Sequence, residues 1–552
     1  MPAEVRTRKK KKNSNFIVQG GILAAAGIVT RIIGMIYRIP VTNIIGDKGN
    51  GYYASAFYVY NIMLLISSYS LPLAISKVVS ARLSKNQYKN ASRVFRGGLI
   101  FASMTGGAVC LLVFFFADFF ANFLREPLSA IALRIFAPTL LIVAIMGVFR
   151  GYFQGYGTMV PTAVSQIIEQ IINAIVSIVA AGALFSYGKR VSALLRNEDL
   201  SYAYGAAGST LGTSIGAFIA LLFLVVLFLL SSAQMRRLRL EDSTKYREGY
   251  GDVMKVILLT VFPVILSTAI YNINDILDNY IFNRIMTLKG LGLEKTAIWG
   301  IYTGKAKLLL NVPIALSNSI SASAVPALAA CVAADNIRGA RKRVSAAMRF
   351  TMILAFPCAV GLFVLAEPII AMLFHGDPAM AANMLRAGAV MVIFYSMSTL
   401  ENGMLQGMDR MKVPVFNAAI SLIIHIVVLV LLMDKAGLGI YAVIISSIVF
   451  SLCMCILNGV GLKITMNFRQ EYVLTFGVPA LSSLIMGIVI FIIQKLFLST
   501  LGNALTVIIA ILFGFVIYSV CILKFKGVKE TELYDLPMGA KIVRIAKRIN
   551  LM

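Results

Sequence analysis

GYFQGYGTMVPT, residues 151–162, returns about 250 residues later as GMLQGMDRMKVPV, residues 403–415. Both copies hold Gly-x-x-Gln-Gly, a short polar link, and a Val-Pro that opens the next apolar run. Gln154-Gly155 matches Gln406-Gly407, and Pro161 matches Pro414. A second pair keeps the offset: SKNQYKNASRVFR at 84–96 and AADNIRGARKRVSAAMR at 333–349. Each is a basic loop after the second apolar run of its half. The chain therefore reads as a duplication. A lobe over 16–232 and a lobe over 253–465 are joined by a cytoplasmic inter-lobe loop at 233–252, and two further helices follow at 472–524. Each half begins on the same side, so the repeat is parallel. Such internal repeats are the ground plan of alternating-access transporters, with the substrate held near the midplane.

Composition sets the solvent. The 552 residues are 59% hydrophobic and 14% charged, with mean hydropathy +0.84. A soluble domain carries about 25% charged residues. Apolar runs of about 20 residues recur about fourteen times, among them 16–45, 52–83, 159–186, 203–232 and 253–285. That length suits membrane-spanning α-helices, and the alternation of a β-barrel is absent. The expected fold is an all-α polytopic membrane protein of about 14 helices: two six-helix lobes plus two.

The net charge of +27 would suggest nucleic acid in a soluble protein. Here it follows loop sidedness. With the N-terminus inside, the inner loops collect Arg82, Lys85, Lys89, Arg93, Arg236, Arg237, Arg239, Arg338, Arg341, Lys342 and Arg343. Both termini are expected in the cytoplasm of a plasma-membrane protein. The basic start at 1–15 reads as a cytoplasmic tail before a retained first helix, since the following run is long and lacks a cleavage motif. The end, 525–552, has apolar residues at helical spacing opposite Lys541, Arg544 and Arg548, an amphipathic helix for an anionic leaflet.

The six cysteines all lie in apolar runs, without a C-x-x-C pair, and there are two histidines. No metal site and no cofactor are expected, beyond a coupling ion of unassigned identity. No G-x-S-x-G, Walker A or H-E-x-x-H motif appears, so no catalytic residue is expected and the chain reads as a transporter.

A few ionisable residues remain inside the spans. Such residues face one another or a water-filled cavity. In TRIIGMIYRIP, Thr30–Pro40, Arg31 and Arg38 are seven apart and share a helix face, with Gly34 between them. Lys305 and Lys307 lie in the eighth span, two apart, so one of them is expected to face a cavity. Asp275 and Asp278, with Tyr271 and Asn274, form a polar stripe on the seventh. Glu169 and Glu401 complete the set. The four cations suit an anionic substrate, because a guanidinium binds phosphate oxygens in two places and stays protonated. The four carboxylates suit ion coupling or ion pairing. Gly34, Gly155, Pro161, Gly407 and Pro414 are hinge candidates at span ends or close approaches.

The segment RIIGMIYRIPVTNIIGDKGNGYYASAFYVYNIMLLISSYSLPLAISKVVSARL, with GIYTGKAKLLLNVPIALSNSISASAVPALA and LQGMDRMKVPVFNA, resembles the polysaccharide-transporter branch of the multidrug/oligosaccharidyl-lipid/polysaccharide (MOP) superfamily. Within it, the likeness is to the Gram-positive, YtgP- and SpoVB-type branch of the MurJ lipid II flippases. The resemblance implies a V-shaped MATE-like bundle and a central cationic cavity for the pyrophosphate–sugar head of an undecaprenyl lipid. Carried over by position, Arg31 and Arg38 match the family's paired arginines of the first helix, and Lys305–Lys307 its basic site on the eighth. This chain departs from R-x-x-G-x-x-R-D: Arg38 comes one residue later and is followed by Ile39. One residue turns a side chain by about 100°.

The expected function is outward flipping of lipid II by a monomer in contact with membrane lipids and with cell-wall synthesis enzymes, and with no nucleic-acid partner. Alternatives are a capsule, teichoic or spore-cortex lipid-linked glycan as cargo, a multidrug cation antiporter of the same superfamily, and a non-transporting cell-wall scaffold. The antiporter calls for an acidic cavity, against which the first-helix arginines stand.

Overall fold

The computed structural model describes residues 3–528, apart from Tyr69 and Lys245, together with Arg544 and Lys547. Most of the expected tail helix at 525–552 lies outside the described residues, as does the Tyr271 side chain. Among the described residues the elements are helical, with no strand. They fall into two compact units, Met1–Gly300 and Ile301–Met552.

The first unit holds α1 (Ala3–Ser67), α2 (Leu71–Leu83), α3 (Tyr88–Phe115), α4 (Ala117–Phe123), α5 (Ser129–Gly155), α6 (Val160–Leu195), α7 (Asp199–Leu240), α8 (Tyr250–Leu288) and most of α9 (Lys295–Ile301). The second begins with a π-helical turn, Tyr302–Ala306. It continues through α10 (Lys307–Ala333), α11 (Ile337–Val364), α12 (Ala366–Leu373), α13 (Ala379–Gly407), α14 (Lys412–Asp434) and α15 (Ile440–Met466). A second π-turn, Val473–Gly477, leads into α16 (Val478–Leu501) and α17 (Asn503–Lys524).

Among the described residues, twelve helical stretches are long and apolar enough to cross a bilayer. Two places account for the difference from the expected fourteen. The expected spans 16–45 and 52–83 run together in one stretch, Ala25–Leu83, which takes in the first from Ala25 onward. The expected seventh span lies on α8, where the side chains of residues 262–272 are outside the description. Along α16 and α17, Leu484, Ile488, Phe491, Leu512 and Phe515 are exposed. A band of this kind is the face a bilayer would cover.

The expected loop at 46–51 is a single-residue break. Gly46 has φ 68° and ψ −177° within α1, a conformation only glycine takes without strain. The amide of Asn50 donates to the Gly46 carbonyl at 2.8 Å and to the Thr42 carbonyl at 3.4 Å. It thereby satisfies acceptors that the interrupted helix leaves open.

α6 and α7 are 36 and 42 residues long, roughly 54 and 63 Å at 1.5 Å per residue. The hydrocarbon core is about 30 Å thick. The expected spans 159–186 and 203–232 are therefore extended by helix at the ends that the 196–198 turn joins, and α7 also continues to Leu240 at its other end. The two helices touch backbone to backbone. A Cβ on Gly208 would lie 2.3 Å from the Ala180 carbonyl oxygen, and one on Gly212 would lie 2.1 Å from Ser177 Oγ. Small residues allow such approach where lipid gives helices no hydrophobic reason to associate.

Only residues 241–249 then link α7 to α8, and they are bound to the α2–α3 corner. Asp242 accepts the Lys89 N–H at 2.6 Å, Arg82 pairs with Glu248 at 2.5 Å, and Asn90 holds the Tyr246 carbonyl at 3.1 Å. Burial pushes the Asp242 carboxyl up. The N–H of Lys89, the hydroxyl and N–H of Thr244 and the Lys89 charge outweigh it and hold it below the usual carboxylate range.

The duplication is visible in backbone detail. After α5, Gly157 takes φ 85° and donates to the Gln154 carbonyl at 2.9 Å; after α13, Asp409 takes φ 60° and donates to that of Gln406 at 3.0 Å. After α2, Asn86 (φ 59°) donates to Leu83 O; after α10, Asp335 (φ 52°) donates to Val332 O. Arg134 pairs with Asp118 on the short helix α4, and Arg386 with Glu367 on the short helix α12.

Candidate functional site

In the first unit the polar groups of the membrane region gather on α1, α5, α6 and α8. α1 and α6 run parallel: a Cβ on Gly34 would lie 3.7 Å from Gln170 Oε1, and the Asn173 amide donates to the Tyr37 hydroxyl at 3.1 Å. Asn173 is steadied in turn by Ser177, whose hydroxyl bonds Asn173 Oδ1 at 2.9 Å. This register carries the exposed Arg31, about 4.5 Å before Gly34 along the axis, to the level of Gln166–Glu169.

Arg38 is half-buried, and its guanidinium carbon lies 3.7 Å from the centre of the Tyr53 ring. Fifteen residues of straight helix would separate the two by about 22 Å. The contact therefore requires the chain to double back at Gly46. The Tyr53 ring packs on Phe57 and Phe136 in turn. Among the described residues Arg38 has this aromatic partner and no carboxylate.

Glu169 is paired, and its partner is a residue the sequence reading did not single out. Arg150 on α5 donates from Nη2 to Glu169 Oε2 at 2.7 Å and from Nε to Ser165 Oγ at 3.0 Å. An arginine within the expected span 128–154, four residues before the repeated Gln154, was the available signal. With Gln154 on Gln406 and Pro161 on Pro414, the second repeat has Asn402 in place of Arg150, Ala418 in place of Ser165 and Leu422 in place of Glu169. There Asn458 joins Asn402 and Asn417 through bonds of 2.6 and 2.8 Å. The Arg150–Glu169 ion pair thus has no counterpart at the matching positions of the second repeat.

Asp275 is half-buried and Asp278 buried on α8, beside buried Asn274, Asn279 and Asn283. Ser55 bonds Asn279 at 3.4 Å, and Asn283 donates to the Leu124 carbonyl at 2.9 Å. The polar stripe thus continues along α8 to the corner between α4 and α5. At that corner sits Glu126, a second residue the sequence reading missed because it lies in a loop. Its carboxylate accepts from the Thr296 hydroxyl at 2.8 and 2.9 Å and faces Lys295 at 3.7 Å. Lys295 also donates to the Arg125 carbonyl. Burial raises the Glu126 carboxyl to about 7 against the opposing pull of Lys295 and Thr296. Next to it α9 meets the Gly46 break: a Cβ on Gly51 would lie 2.2 Å from the Thr296 carbonyl oxygen, and one on Gly300 would lie 1.8 Å from that of Asp47.

In the second unit Lys305 is buried in the π-turn and donates to the His375 carbonyl at 3.3 Å. Lys307 is half-buried, its ammonium 5.9 Å from the Tyr302 ring centre. π-turns recur at functional positions in helices. Glu401 is 2% exposed, hydrogen-bonds Cys455, and forms no ion pair among the described residues. Of the hinge candidates, Gly155 and Gly407 sit at close contacts, 2.7 Å from Val79 and 3.0 Å from Val325 for an added Cβ. Pro161 and Pro414 lie in the first turns of α6 and α14. No group of three metal-ligating side chains occurs among the described residues.

The sequence model of the family described as "Polysaccharide biosynthesis protein" matches residues 18–332, more than half of the chain, and that of MatE matches residues 263–431. Stage V sporulation protein B of Bacillus subtilis (strain 168) is 24% identical over 530 residues, 95% of this chain and 98% of that one. Lipid II flippase MurJ of the same organism is 25% identical over 447 residues, 77% of this chain and 79% of that one. Among solved structures, a lipid II flippase MurJ in an inward closed conformation superposes with TM-score 0.67 at 18% identity, covering 91% of this chain and 98% of that one.

Proposed function

Because the chain belongs to the polysaccharide biosynthesis protein family, among the MurJ- and SpoVB-like flippases of the MOP superfamily, we propose that it moves lipid II, an undecaprenyl-pyrophosphate-linked peptidoglycan precursor, from the inner to the outer leaflet by alternating access. The observation that carries this reading is Arg38. A guanidinium in a membrane helix costs at least about 2.5–3.5 kcal/mol, and this one has an aromatic ring and no carboxylate as partner among the described residues. A cation left without a counter-ion suits a cargo that brings two phosphates. Arg31, on the same helix, and Lys305 and Lys307, in the second unit, are each assigned to substrate binding. Glu169, Asp275, Asp278 and Glu401 are assigned to ion pairing or ion coupling. Both termini are placed in the cytoplasm from loop charge.

A second reading keeps the machine and changes the cargo. The sporulation protein aligns over 95% of this chain and the MurJ relative over 77%. That difference favours a lipid-linked glycan of the spore envelope as the alternative.

Native mass spectrometry of the purified protein with lipid II tests the reading, with an uncharged prenyl lipid as control and Arg31→Ala and Lys305→Ala beside wild type. Selective binding of lipid II that weakens in both variants supports it. Equal binding of both lipids by all three proteins overturns it. In a strain that depends on this protein, Arg31→Ala is expected to abolish growth and Arg236→Ala, in the loop-side end of α7, to be silent.

A further inference from the structure

The Arg150–Glu169 pair is only half satisfied. Arg150 uses Nη2 and Nε, and Glu169 uses Oε2. Nη1 and Oε1 make no bond among the described residues, and neither atom is among the buried unpartnered ones. The two side chains are 12% and 19% exposed, so the pair has an open edge. It stands at the level of Arg31, set by the Gly34–Gln170 and Tyr37–Asn173 contacts. A purely structural bridge would also serve in the second repeat. There Asn402 and Leu422 stand at the positions of Arg150 and Glu169, so the pair has no counterpart.

We propose that Arg150 is a further ligand-contacting residue for the pyrophosphate and that Glu169 is its resident counter-ion, displaced when the headgroup enters. The inference rests on the lipid-pyrophosphate reading above. Ser165 holds Arg150 by Nε, so the guanidinium keeps its orientation while the carboxylate at Nη2 is exchanged for a phosphate oxygen. A guanidinium presents a planar fork to phosphate, which makes the exchange geometrically equivalent. Glu169 competes with cargo when the site is empty and repels it once displaced, which favours release on the far side. The proposal gives a sign opposite to that of a structural bridge: removing the carboxylate should tighten binding.

The test is binding of lipid II to the full-length protein, with the uncharged prenyl lipid as reference and inorganic pyrophosphate as competitor. Glu169→Gln is expected to bind lipid II about three- to tenfold tighter, and pyrophosphate to compete more strongly. Arg150→Gln is expected to weaken binding about tenfold and to cancel the gain in the double variant. Since Arg150→Gln can impair folding, Glu169→Gln decides. Unchanged or weaker binding by Glu169→Gln, together with a lower thermal midpoint, would make the pair structural and overturn the proposal. Arg31→Ala separates the two levels. If wild type prefers lipid II, Arg31→Ala loses that preference and Glu169→Gln is silent, only this inference fails. If wild type shows no preference, the functional reading fails with it.

Discussion

Gly300→Ala gives the sharpest structural prediction. The added methyl would sit 1.8 Å from the Asp47 carbonyl oxygen and 2.8 Å from both the Asp47 carbonyl carbon and the Gly51 nitrogen. Carbon–oxygen contacts close at about 3.3 Å, so α9 and the Gly46–Gly51 segment must part by about 1.5 Å. All three obstacles are backbone atoms, so no rotamer change relieves the clash. Overpacking of this kind costs about 2–3 kcal/mol. If the cost appears as local opening, amide exchange of residues 46–53 and 296–301 should accelerate roughly 30- to 150-fold, at 1.4 kcal/mol per factor of ten. Gly107→Ala on α3 is the control, since nothing lies within 4 Å of its Cβ. Gly51→Ala should act like Gly300→Ala, with its methyl 2.2 Å from Thr296 O. The double variant should cost less than the sum, because one separation relieves both clashes. Wild-type exchange in Gly300→Ala, measured by hydrogen–deuterium mass spectrometry, would refute the docking of α9 on the break.

Glu126 links the corner between α4 and α5 to pH. Its carboxyl is raised from 4.5 to about 7, so between those values the folded protein holds more protons than the unfolded chain and loses stability as pH rises. The thermal midpoint in detergent should be lower at pH 8 than at pH 5, and Glu126→Gln should flatten that slope; an identical slope in the variant would contradict the assignment. Gly212→Val should separate α6 from α7, since even a Cβ meets Ser177 Oγ at 2.1 Å and Asn173 O at 2.6 Å. Recovery of folded monomer by size exclusion should fall sharply, and near-normal recovery would refute the close contact.

The sequence carried the architecture because membrane helices announce themselves by length and punctuation. The Gln-Gly…Val-Pro pairs became matching turns at Gly157 and Asp409, and the basic loops became matching turns at Asn86 and Asp335. What stayed hidden depends on tertiary proximity. GDKGNG reads as a loop, and nothing local says that Asn50 would close the broken helix or that Arg38 would lie on Tyr53. Arg150 sits near the end of a span, where an arginine reads as a surface residue, until α6 brings Glu169 beside it. Nor does the sequence show that a π-turn brings Lys305 to the His375 carbonyl. Helix length was underestimated at α6 and α7 because a span ends in hydropathy before the helix ends in hydrogen bonding.

The spacing of Arg150 and Glu169 also bears on biogenesis. They are 19 residues apart, on consecutive helices joined by the turn at Gly157. The emerging polypeptide presents the arginine to the translocon first and the acid within one more helix. Each alone would carry an insertion penalty of about 2.5–3.5 kcal/mol. Released as a helical hairpin, the two enter the lipid already facing each other. The partner that compensates Glu169 is therefore supplied by the nascent chain itself, before any later helix has been synthesised.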